Sequence, residues 1–69
     1  MRLSARNVLK GKVVKVTAGA VNSEVIIELP GGMQVVSMIS KDSAAHLGLK
    51  KGKTAYAVIK ASSVMIAID

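Results

Sequence analysis

The side chains able to do chemistry in this 69-residue chain are few, and they fall into small groups. Ser4-Ala5-Arg6-Asn7 sets a hydroxyl, backbone N–H groups, a guanidinium and an amide in four consecutive residues ahead of the first predicted strand. Lys60-Ala61-Ser62-Ser63 sets an ammonium and two hydroxyls where the fourth predicted strand breaks. Ser40 and Ser43 flank the start of a predicted helix. A compact anion needs convergent hydrogen-bond donors, some of them charged, with no carboxylate competing. The first two groups have that composition, Ser40 and Ser43 could supply a third contribution, and backbone N–H groups freed by a strand break can add to it. A frayed, solvated N-terminus accounts for Ser4 to Asn7 equally well on composition alone.

Other chemistries have less to stand on. His46 is the only imidazole and there is no cysteine, so the three or four ligands of a transition-metal site are missing. Glu24 and Glu28 are four apart on a strand, about 13 Å at a rise of ~3.3 Å per residue, too far for a paired-carboxylate hydrolase within one chain. Gly31-Gly32 lacks the Gly-Lys-Ser/Thr that would make a phosphate loop. No enzyme is expected. Tyr56 is the sole aromatic, whereas single-strand nucleic-acid surfaces stack bases on several, at about 1–3 kcal/mol each. The net charge of +6, with Arg2, Arg6, Lys10, Lys12 and Lys15 crowded into the first fifteen residues, favours an anionic partner of some kind. A basic nucleic-acid-binding module is therefore the alternative reading, and a solvated basic face the plain one.

The elements that must position these residues read as strands divided by glycine. Val8 to Thr17 forms a first strand, with Gly11 a bulge or a point of close approach. Val21 to Leu29 alternates, with Val25 and Ile27 on one side and Glu24 and Glu28 on the other. Pro30-Gly31-Gly32 marks a hairpin, followed by a strand over Met33 to Ser40. A short helix within Lys41 to Leu49, capped by Asp42 or Ser43 and ended by Gly48, precedes a strand over Lys53 to Ala61. Val64 to Ile68 is a fifth strand. The pattern predicts a single all-β domain over residues 1–69: an OB-fold-like five-stranded Greek-key barrel with one short helix between strands 3 and 4.

Strands three, four and five carry apolar residues on both faces, although a lone small barrel has only one face to bury. A chain of this size buries only about 60% of its unfolded surface. The second apolar face therefore predicts a homo-oligomer. No apolar run reaches the ~18 residues of a membrane span, and residues 1–7 do not read as a signal sequence. A soluble, cytoplasmic protein without a membrane partner is expected.

Ser4-Ala5-Arg6-Asn7 followed by Leu9-Lys10-Gly11-Lys12-Val13-Val14 resembles the opening of the molbindins, the small Mop-type molybdenum-pterin-binding proteins. The similarity continues through Glu24-Val25 with Glu28, Gly31-Gly32, Ser37-Met38-Ile39-Ser40, Leu47 to Gly52 and Val58 to Met65, in order over essentially the whole chain. The same module is similar to the TOBE-type domains of molybdate-responsive regulators and molybdate transporter ATPases. The resemblance implies a hexamer, a trimer of dimers, that binds molybdate or tungstate between subunits and stores it. No organic cofactor is expected: a pterin pocket calls for stacking aromatics, and Tyr56 is the only aromatic.

Residue by residue, the resemblance carries the main oxyanion site onto Ser4, Ala5, Arg6, Ser40, Ser43, Lys60, Ala61 and Ser62, with the N-terminal group and the Lys60 group expected from different subunits. It implies a second site near the molecular threefold at Gly19, Ala20, Val21, Asn22 and Ser23. Thr17-Ala18-Gly19-Ala20 stands there in place of a more basic stretch, so a weaker site is expected. At the main site Arg6 supplies a fixed fork and Lys60 a mobile point charge. The serine hydroxyls and the Ala5 and Ala61 N–H groups supply neutral donors. A donor-only shell disfavours an oxyanion that carries its own proton, such as monohydrogen phosphate.

Overall fold

A computed structural model describes all residues, Met1–Asp69. Four strands form one antiparallel sheet: β1 (Asn7–Ala18), β2 (Asn22–Glu28), β3 (Gln34–Ser40) and β4 (Thr54–Ile59), in the order β3-β2-β1-β4. A helix α1 (Lys41–His46) joins β3 to β4, and a 3₁₀ turn covers Ala61–Ser63. The twelve-residue β1 organises the sheet. Its first half pairs with β4, Asn7 opposite Ile59 through Lys12 opposite Thr54. Its second half pairs with β2, Lys12 opposite Glu28 through Ala18 opposite Ser23.

Gly11 sits where β1 passes from one partner to the other. A Cβ there would lie 2.5 Å from the Glu28 carbonyl oxygen and 2.6 Å from Ile27 Cγ2, so the close approach expected of this glycine is what the fold uses. The bulge falls three residues later, where the register shifts between Val13 and Lys15. That extra residue changes the parity of β1, so that Val13 and Val16 both face the core despite their odd spacing.

The core is thin. Val13, Val25, Ile27 and Ala57 form it, with Val16, Leu29, Val35, Ile39, Leu49 and Ala55 packed around them. The alternation in β2 is realised: Ser23, Val25 and Ile27 are buried, while Asn22 and Glu28 are exposed. On the outer face Val36, Met38, Tyr56 and Val58 remain exposed, as the two-sided apolar pattern required.

The start of the helix differs from expectation. Ser40, the last residue of β3, is its N-cap, and its Oγ accepts from the Ser43 N–H at 3.0 Å. Neither Asp42 nor Ser43 caps it; strand and helix abut with no loop, so the cap comes from the strand's own end. Gly48 ends the helix at φ +62°, as expected of it, and Lys53 Nζ donates to the freed carbonyls of Leu47 and Gly48.

The predicted fifth strand does not form. Val64 to Ile68 lies outside the sheet, with Met65, Ile66 and Ile68 between 86% and 92% exposed. The 3₁₀ turn, closed by Ser63 N–H to the Lys60 carbonyl at 2.8 Å, takes the chain off β4. A segment apolar on both faces gains from sheet pairing only when both faces are covered. One protomer offers no second cover, so the structure is a four-stranded curled sheet with one short helix rather than a closed five-stranded barrel.

Candidate functional site

The β1–β4 ladder decides where the candidate anion residues go. Because Asn7 pairs with Ile59 in antiparallel register, the residues before Asn7 and those after Ile59 leave the sheet side by side. Asn7 reinforces the junction by donating Nδ2–H to the Ile59 carbonyl at 3.3 Å. Ser4, Ala5 and Arg6 thus meet Lys60, Ala61 and Ser62 around one cavity of about 580 Å³, with Val58 as its remaining wall. Within one protomer the two groups already share a cavity, whereas the sequence reading expected them from different subunits. The reason lies in the chain reversal: β4 returns antiparallel to β1, and the two breaks coincide at one end of the ladder.

The lining supplies one guanidinium, one ammonium and two hydroxyls, and it contains no carboxylate. Two other polar cavities differ on this point. One, of about 380 Å³, places Lys10 and Lys12 beside Glu28. The other, of about 340 Å³, places Ser43 and His46 beside Asp42. An anion held in either would face a like charge. The Ser4–Lys60 cavity is open, every lining residue but Ala5 being well exposed.

Ser40 and Ser43 do not line this cavity within the protomer. They form a pair of their own, Ser40 Oγ–H donating to Ser43 Oγ at 2.8 Å in the helix cap. The Gly19 to Ser23 group lies at the β1–β2 hairpin, which Gly19 closes by donating N–H to the Asn22 carbonyl at 2.8 Å. Gly19, Ala20, Val21 and Asn22 are exposed there, whereas Ser23 is buried at 2% exposure. The Val21 carbonyl accepts from Lys41 N–H at 2.8 Å, tying this hairpin to the start of α1. Val58 is the lining residue that sequence reasoning did not single out. Its signal is the period of two: on an extended strand residue 58 shares a face with residue 60.

No group of three or more His, Cys, Asp or Glu side chains is placed to hold a metal cation. No helix is long and apolar enough to cross a membrane. The Ser4–Lys60 cavity is a cationic, donor-lined notch at the end of a small antiparallel sheet. Residues 3–66 match the TOBE domain, and the chain belongs to that family and, within it, to the molybdenum-pterin-binding proteins.

It is 54% identical to molybdenum-pterin-binding protein 3 of Clostridium pasteurianum over 66 residues, 96% of this chain and 97% of that one. Its fold superimposes on MopII of the same organism, in an apo form, with a TM-score of 0.93 and 48% identity, covering 97% of this chain and 100% of that chain. It also superimposes on the cytoplasmic molybdate-binding protein ModG with molybdate bound, with a TM-score of 0.91 and 54% identity, covering 94% of this chain and 46% of that one.

Proposed function

We propose that this protein binds molybdate, and tungstate with it, in the Ser4–Lys60 cavity, and that it serves in the cytoplasm as a reversible store of the oxyanion and not as an enzyme. The observation that carries the reading is the convergence of Arg6 and Lys60 with two serines around a carboxylate-free cavity. Molybdate is a bare tetrahedral dianion near neutrality and can only accept hydrogen bonds, so every group on this wall suits it. Tungstate has nearly the same size and charge and meets the same donors. The molybdate-bound ModG, so close in fold and sequence, supports the same ligand.

The openness of the cavity argues that one protomer is not the whole binding unit. The chain exposes 5591 Å², where a folded monomer of its 7.2 kDa exposes about 4,100 Å². The excess of roughly 1,500 Å² is about twice the ~800 Å² that one partner gives to a standard interface. Two interfaces per subunit is what a trimer of dimers uses, and the apolar tail and outer face are the surfaces such contacts would cover. In such a hexamer the Val64–Ile68 tail gains the second cover it lacks here and can complete the five-stranded barrel. Ser40 and Ser43 of a neighbouring copy can close the open side of the cavity with two more hydroxyls. The Gly19 to Asn22 hairpin, with its exposed backbone, then offers a second, weaker oxyanion position near the threefold axis.

Native mass spectrometry with and without sodium molybdate tests the reading, because it counts subunits and bound ions together. The expected result is a hexamer that gains molybdate ions in steps. A well-folded assembly that takes up neither molybdate nor tungstate would end the proposal. Retention of single-stranded RNA or DNA, unaffected by molybdate, would favour the nucleic-acid alternative instead.

A further inference from the structure

The polar residues of the cavity account for charge and hydrogen bonding, but they do not separate one bare dianion from another. Sulfate is tetrahedral, doubly charged and unprotonated at neutral pH, as molybdate is. Arg6, Lys60, Ser4 and Ser62 would each donate to either. The wall that treats them differently is the one without a donor. Val58 stands on the outer face of β4, 47% exposed, two residues before Lys60 and directly opposite Val8 of β1. It places a branched hydrocarbon side chain against a cavity otherwise lined by cations, hydroxyls and alanines.

We infer that Val58 is the specificity-determining residue of this cavity, selecting large, weakly hydrated tetrahedral dianions over sulfate by denying one face of the anion any hydrogen bond. The inference rests on the oxyanion reading above and deepens it. An anion pressed against hydrocarbon gives up the water on that side without replacement. The loss grows with how tightly the ion holds its hydration shell. Sulfate, smaller and of higher charge density, holds it more tightly than molybdate or tungstate. Val58 thus acts by rejecting the wrong ion rather than by attracting the right one, as specificity built on unpaired polar groups does.

The decisive substitution is Val58→Thr, which keeps the branched shape and good strand propensity but puts a hydroxyl where a methyl stood. Calorimetric titration of the full-length protein with sodium molybdate, alone and in competition with sodium sulfate, gives the ratio of the two affinities. The expected result is a gain in sulfate affinity larger than any gain in molybdate affinity, the ratio of the two shifting about tenfold toward sulfate. Because the shape is unchanged, such a shift cannot come from cavity size. A ratio unchanged within twofold, in a variant that still binds molybdate, overturns the inference and leaves the oxyanion reading standing. Should the variant fail to assemble, the wild-type protein decides: selenate, larger and less strongly hydrated than sulfate, must bind more tightly than sulfate, and equal or weaker binding overturns the inference. Failure of the wild-type protein to bind any of these ions would instead remove the reading on which the inference rests.

Discussion

Arg6 and Lys60 face one cavity from opposite sides of the β1–β4 junction, so removing them singly and together tests the site directly. Each variant, Arg6→Ala and Lys60→Ala, deletes a charged donor to the same dianion. A hydrogen bond involving a charged group contributes about 1.5–3 kcal/mol, and one tenfold step in affinity is about 1.4 kcal/mol. Both side chains are exposed, so solvent screening favours the lower end. Each single substitution is expected to weaken molybdate binding about tenfold. The double variant should fall short of the product of the two losses, because both donors act on one ion and neighbours that share a partner are not additive. Calorimetric titration at fixed ionic strength reads all four corners of the cycle. Each single variant also lowers the net charge from +6 to +5, and Lys51→Ala, which makes the same change outside the cavity, is the control. If Lys51→Ala weakens binding as much as Lys60→Ala, long-range attraction and not a built site holds the ion, and the assignment fails.

Three further perturbations address the framework. Deleting Val64–Asp69 removes the exposed tail; by size-exclusion chromatography with light scattering the shortened chain should run as a smaller species, and an unchanged assembly would show that the tail covers nothing. Ser43→Ala keeps the Ser43 N–H that Ser40 Oγ accepts, and so keeps the cap, whereas Ser40→Ala removes it at a cost of about 1 kcal/mol. If these hydroxyls reach an anion across a subunit boundary, titration finds weaker molybdate binding in both variants while only Ser40→Ala lowers the melting temperature; Ser43→Ala binding like wild type would confine the pair to capping. Gly11→Ala would set a Cβ 2.5 Å from a backbone oxygen of β2, so forcing it in should cost about 1–3 kcal/mol. Differential scanning calorimetry at fixed protein concentration would read this as a clear fall in melting temperature, and a melt within one degree of wild type would disprove the close approach.

Much of this arrangement was legible before any coordinates. The glycines and the Pro30-Gly31-Gly32 signal divided the chain where it turns, and the alternation in β2 named Val25 and Ile27 as interior residues. Local chemistry also marked both halves of the cavity, since Ser, Arg and Lys beside a strand break are recognisable from composition. What stayed hidden depends on distant parts of the chain. The meeting of Ser4–Arg6 with Lys60–Ser62 in one protomer follows from the register Asn7 opposite Ile59, which no local pattern encodes. The capping role of Ser40 is obscured in the sequence because β3 runs straight into α1, so one residue both ends a strand and caps a helix. Val64 to Ile68 illustrates the opposite case: its apolar pattern asks for a strand, but the pattern describes an assembled molecule and a single copy leaves it bare.

The position of the cavity has an energetic consequence. Its two walls are the chain segments that leave the end of the β1–β4 ladder, joined there by the Asn7–Ile59 pair. Two cations at such an end repel each other, and the bare sheet carries that repulsion as a cost of closing its last rungs. A dianion placed between them reverses the sign: each cation is then attracted to the ion, and the ion holds the strand ends together. Ligand and fold would thus be linked, binding at the proposed site contributing about 2.7 kcal/mol of stability at a free concentration one hundred times the dissociation constant. A core of four buried side chains is a small reserve, so that contribution would be large beside what the chain supplies alone. The same linkage would suit the reversible store proposed above: as the free oxyanion fell, the stabilisation would fall with it, and the strand ends would loosen at the place where the ion must leave.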